Sequence, residues 1–64
     1  METLTLQNIK PGHMSIRQKA HPEYGTWGIR FCGMHDGHPL YAAVKERGSI
    51  NLSVGEFHFW EIVI

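Results

Sequence analysis

LYAAVKERGSINLSV, residues 40–54, is the stretch whose reading decides the fold. In its second half Ile50, Leu52 and Val54 alternate with Asn51 and Ser53. That period of two puts the apolar side chains on one face and the polar ones on the other, the pattern of a half-buried strand. In its first half Leu40, Ala42 and Val44 share a face. Arg47-Gly48 separates the halves and reads as a turn. Tyr41–Arg47 has some helical propensity, but seven residues between turn signals are too few for a stable helix. The stretch is therefore a hairpin of two strands, at 39–46 and 49–54.

The same period recurs on either side. Trp27, Ile29 and Phe31 share a face against Gly28 and Arg30, which predicts a strand over 26–34. Asp36-Gly37 then supplies a turn pair favoured in two-residue hairpins. Pro39 cannot donate a ladder bond and belongs near a strand start. Downstream, Gly55-Glu56 reads as a further hairpin turn, glycine first as in type II′. It leads into FHFWEIVI, a strand predicted over 57–64 and apolar on both faces. Upstream, Leu4 and Leu6 alternate with Thr3, Thr5 and Gln7, which predicts a first strand over 2–9. Residues 10–25 are rich in Gly, Pro, His and basic side chains and read as a long loop, a feature often tied to function.

These elements describe an all-β chain forming one domain, residues 1–64. A first strand, a long loop and a four-strand meander follow the order of a Src-homology-3-like small five-stranded barrel. An OB-like barrel is the alternative, distinguished by a helix between strands three and four. No family motif accompanies the order, and fold by itself assigns no function.

Size and charge narrow the function classes. A domain of 64 residues buries only roughly 60% of the surface its unfolded chain exposes. Such chains usually need a staple: a disulfide, a metal or a partner. Cys32 is the only cysteine, so an intrachain disulfide is excluded, and one thiol fits a reducing, cytoplasmic setting. Starting at Met1, the chain reads as a complete small protein with neither a secretory signal nor a membrane span. Six bases balance six acids, which argues against nucleic-acid binding by bulk charge. The bases lean toward the first half and the acids toward the second. Five histidines would add positive charge on acidification, but read as surface groups without a switching role.

Chemistry-bearing groups are sparse. Cys32, His35 and His38 stand at C-x-x-H-x-x-H spacing and are of ligand type for zinc. There is no second separated pair, and the Asp36-Gly37 turn accounts for the stretch without a metal, so no metal or other cofactor is assigned. Cys32 and His35, three apart on a strand, point to opposite faces and make no nucleophilic pair. Glu56 and Glu61 read as solvated charges, and no enzymatic activity is expected.

Two binding classes remain. For single-stranded nucleic acid, Lys10, Arg17, Lys19 and Arg30 would form a basic groove, with Tyr24 and Tyr41 as stacking platforms. Trp27 reads as core. For protein, the signal is the C-terminal strand. One core cannot bury Phe57 and Phe59 together with Trp60, Ile62 and Ile64, so one set is expected to meet another protein. The leading expectation is a non-enzymatic adaptor, assembly or inhibitory factor. It would self-associate as a homo-oligomer by pairing the edge of residues 57–64.

Overall fold

The computed structural model describes residues 1–63, and the chain is mostly β. Among the described residues five strands form: β1 (Ile16–Gln18), β2 (Gly28–His35), β3 (His38–Lys45), β4 (Gly48–Ser53) and β5 (Trp60–Ile62). They make two antiparallel sheets, β1-β5 and β2-β3-β4. A mutual pair of bonds between Ile16 and Trp27, at 2.8 and 2.9 Å, ties one sheet to the other.

The central meander follows the sequence pattern closely. Asp36 and Gly37 have φ of 51° and 78°, both left-handed, and His35 pairs with His38 around them. This is a type I′ turn, whose twist matches the flanking strands. Glu46-Arg47 is the second two-residue turn, and Lys45 pairs with Gly48 across it. Because only these two residues join β3 to β4, the helix of an OB-like barrel has no place there. Pro39 lies opposite Met34, one residue inside β3. Its missing donor faces β4 just beyond the last rung, Leu40 with Ser53.

The core face of β3 differs from the sequence reading. Tyr41 pairs with Leu52 and Ala43 with Ile50, so Tyr41 and Ala43 point inward, and Leu40, Ala42 and Val44 lie on the outer face. The strand is apolar on both faces, and register, not composition, chose between them. The core is Leu4, Ile16, Ile29, Tyr41, Ala43, Leu52, Phe57 and Trp60, with Trp27 packed against it. Trp27 and Trp60 meet edge to face at 5.8 Å, and the Lys45 ammonium lies 4.5 Å over the Trp27 ring.

The two ends of the chain differ from the expected strands over 2–9 and 57–64, of which only Trp60–Ile62 forms as a strand. Residues 2–9 are not a strand: they turn back at Leu6–Asn8, with Ile9 N–H donating to Thr5 C=O at 3.0 Å. Asn8 is the cause. Its side chain accepts from Thr5 N–H at 2.8 Å and donates to Thr3 C=O at 2.9 Å, taking groups a ladder would have used. The first strand instead forms at Ile16–Gln18, inside the expected loop, and Pro22–Tyr24 adds a 3-10 turn.

At the other end, Val54–Phe59 is a 3-10 helix and not a hairpin turn entering a strand. Ser53-Val54-Gly55-Glu56 is an S-x-x-E capping sequence. The Glu56 carboxylate accepts from the Ser53 N–H at 3.1 Å and from its hydroxyl at 2.9 Å. β5 is left with Trp60–Ile62. No helix among the described residues is long and apolar enough to cross a membrane.

Candidate protein-binding edge

An open strand edge carries a row of unpaired backbone groups that another chain can pair with. β5 has no free edge. On one side Ile62, Glu61 and Trp60 pair with Ile16, Arg17 and Gln18. On the other, Leu4 N–H donates to Trp60 C=O at 3.1 Å and Ile62 N–H to Glu2 C=O at 2.7 Å, with Thr3 level with Glu61. The N-terminal segment thus lies along the side of Trp60–Ile62 through which residues 57–64 are expected to pair with a second copy.

The outer edge of β2 is covered at first. Trp27 pairs with Ile16, and Ile29 C=O accepts from Gly12 N–H at 2.9 Å. Past that point the edge is broken by a bulge at Cys32, between Phe31 and Gly33, where Gly33 has φ of 101°. A bulge bends the strand and blunts its edge.

β4 has neither protection. The two-residue turn makes Lys45 and Gly48 exchange both their bonds, and antiparallel pairs alternate from there. Gly48, Ile50 and Leu52 therefore bond to β3, while Ser49, Asn51 and Ser53 face outward. Glu56 takes the Ser53 donor. The N–H and C=O groups of Ser49 and Asn51 remain, and no other backbone segment among the described residues bonds to them. The strand carries no charge, no proline and no bulge.

Beside this edge the core face is incompletely covered. Ile50 is 43% exposed and Phe59 58%. They border a cavity of about 290 Å³ whose walls include Gln18, Ala20, Leu52 and Glu56. Phe59 is held there because its carbonyl accepts from Lys19 N–H at 2.9 Å.

The expected protein-binding residues divide. Phe57 and Trp60 are core, at 3% and 4% exposure. Ile62 is half-buried against the core. Phe59 alone presents a large apolar surface, and Ile64 lies outside the described residues. The 3-10 helix explains the division, since its turn sends Phe57 inward and Phe59 outward where a strand would have put them on one face. The alternation predicts Ile50 in the core, and the structure leaves it exposed. Its exposure comes from lying on the last strand of its sheet.

The residues expected of a basic groove are spread over several elements. Tyr41 is buried at 8%, packed between Phe31 and Phe57 at ring distances of 5.4 and 5.5 Å. Arg17 is committed to Glu61, donating from Nε at 2.9 Å and Nη2 at 2.6 Å. Lys19 donates to the Thr3 hydroxyl at 2.6 Å. Lys10 and Arg30 are exposed, and Arg30 stands on the outer face of β2 opposite Ala42. Tyr24 stacks on His21 at 4.7 Å, and its carbonyl accepts from Lys45. His21 also meets Glu23 at 3.0 Å. A bond from its own backbone, then His21, hold the Glu23 carboxyl below its ordinary value of 4.5.

Cys32, His35 and His38 are all exposed on the β2-β3 hairpin. No group of three or more His, Cys, Asp or Glu side chains able to hold a metal forms among the described residues. Glu56 and Glu61 serve separate structural ends, one as a helix cap and one as the partner of Arg17.

Compared with protein families, curated proteins and solved structures, the chain matches none.

Proposed function

We propose that this chain is a non-enzymatic protein-binding domain, an adaptor or assembly factor, that takes an extended polypeptide strand onto the free edge of β4. The carrying observation is the unguarded edge itself: four free backbone groups at Ser49 and Asn51, beside exposed Ile50 and Phe59. Strand addition uses such an edge for affinity, with side-chain pockets alongside for selectivity. The cavity beside Ile50 and Phe59 suits one apolar side chain of the incoming strand. The architecture behind it is a Src-homology-3-like small barrel. A short first strand pairing with the last, and a three-strand meander between them, support that reading.

Selection of displayed random heptapeptides on the immobilised chain tests the proposal. Recovered peptides should have alternating apolar residues and lose binding to Asn51→Pro. That variant removes an outward donor and no internal ladder bond, since Asn51 N–H faces away from β3. Peptides that bind Asn51→Pro equally well would refute the edge. The opposing probe is a pool of single-stranded oligonucleotides at low salt. Amide shifts gathered at Lys10, Lys19 and Arg30 that vanish with added salt would give the function to nucleic acid instead.

A further inference from the structure

We infer that the strand taken by β4 is β4 of a second copy of this chain, giving a two-fold symmetric dimer with a continuous six-stranded sheet. The inference rests on the edge reading above and adds the identity of the occupant.

The register follows from which groups are free. Only Ser49 and Asn51 offer both N–H and C=O outward, because Glu56 already takes the Ser53 donor. An antiparallel partner satisfies all four when Ser49 lies opposite Asn51 of the second copy and Asn51 opposite its Ser49. The two-fold axis then passes between Ile50 and Ile50 of the second copy. These two form a non-hydrogen-bonded pair, the closer kind, with Cα atoms about 4.5 Å apart. Each covers the other's exposed face, on the side where Phe59 and the cavity lie. Shifting the register by two, to put Asn51 opposite itself, would require the Ser53 donor that Glu56 holds.

Charge selects the same arrangement. Nothing in β4 repels a second β4, as the strand has no charged residue. Arg47, one residue before the strand, comes level with Ser53 of the second copy. The Glu56 carboxylate is bonded to that serine at 2.9 Å. Arg47 makes no ion pair among the described residues, so the guanidinium arrives free. Glu46, its neighbour in the turn, falls level with uncharged Val54. Symmetry repeats the Arg47–Glu56 meeting at the other end of the interface. An isologous surface must be self-complementary, and this edge is base at one end, acid at the other and neutral between.

Sedimentation equilibrium together with amide hydrogen exchange tests the inference. The expected mass is twice 7.3 kDa, falling toward 7.3 kDa on dilution. Exchange at Ser49 and Asn51 should slow as the dimer forms, since those donors are otherwise open to water. Asn51→Pro and Arg47→Glu should each shift the equilibrium to monomer while the circular dichroism spectrum stays that of the folded chain. A dimer in which Ser49 and Asn51 still exchange freely would overturn the inference, because the interface would lie elsewhere. A monomer at every concentration would also overturn it. In that case a synthetic peptide of residues 47–53 separates the two readings. If the peptide slows exchange at Ser49 and Asn51, the edge captures strands but not a second copy. If it does not, both readings fail.

Discussion

Replacing Leu4 by alanine tests how the N-terminal segment contributes to the fold. Read as a strand, residues 2–9 make Leu4 and Leu6 equivalent, since both sit on the apolar face of the alternation. The structure separates them: Leu4 is 1% exposed and belongs to the core, whereas Leu6 is 48% exposed at a turn. A fully buried Leu→Ala change costs roughly 3 kcal/mol, within a range of about 2–5 set by how far the cavity collapses. The Leu4 backbone bond to Trp60 survives the change, so the loss is packing alone. A domain of this length has a total stability on the order of 3–10 kcal/mol. Leu4→Ala therefore removes a third or more of it. At about 4–8 °C per kcal/mol for a small domain, the midpoint should fall by about 12–24 °C. Leu6→Ala should cost about 0.5 kcal/mol or less, the scale of a surface substitution. Thermal unfolding followed by fluorescence of Trp27 and Trp60, at one protein concentration, reads both. Equal losses in the two variants would refute the turn at Leu6–Asn8 and restore a strand there.

Three further outcomes follow from the geometry. Phe57→Ala should destabilise by about 3–5 kcal/mol and leave little folded protein, while Phe59→Ala should keep the midpoint within about 0.5 kcal/mol and weaken peptide capture; urea unfolding and binding of the same two variants separate core from surface. Gly37→Ala, at φ of 78°, should cost about 1–2 kcal/mol through backbone strain, whereas Asp36→Gly should be tolerated, and a comparison of their unfolding midpoints decides it. Carboxyl-detected NMR should show Glu23 titrating below 4.5, and His21→Ala should move it part of the way back. Its folded value is depressed, so whatever it contributes to stability is present above pH 4.5 and fades as pH falls through the folded value.

The free edge of β4 has a cost the rest of the fold avoids. β5 is flanked on both sides, and the outer edge of β2 is paired at its start and bulged beyond. Folded proteins generally blunt exposed edges with charge, proline or bulges, because a bare edge invites pairing with other chains. An edge left bare in a chain that protects its others is what a strand-capturing surface requires. The same edge marks where partly unfolded chains would first aggregate.

Local signals decided the centre of this protein. Alternation in Ile50–Val54, the Asp36-Gly37 pair and the position of Pro39 act over a few residues, and their physics is complete in the sequence. The all-β class and the β2-β3-β4 meander follow from them. Two local signals were also present at the ends. Asn8 had the side chain to stop a strand, and Ser53-x-x-Glu56 had the cap to start a helical turn. Alternating leucines and a run of aromatics mask both, because side-chain hydrogen bonding to the backbone overrides the apolar period at these two places. Tertiary structure alone decided the rest. No local feature says that Glu2–Leu4 lies against β5, or that Ile16–Gln18 reaches its other side, since these pairings join residues more than forty apart. They determine which edge is covered, hence that Trp60 is core and Ile50 is surface. A strand's sequence records which face is apolar. Whether its edge is free depends on every other strand, and among the described residues it is the edge of β4 that the others leave open.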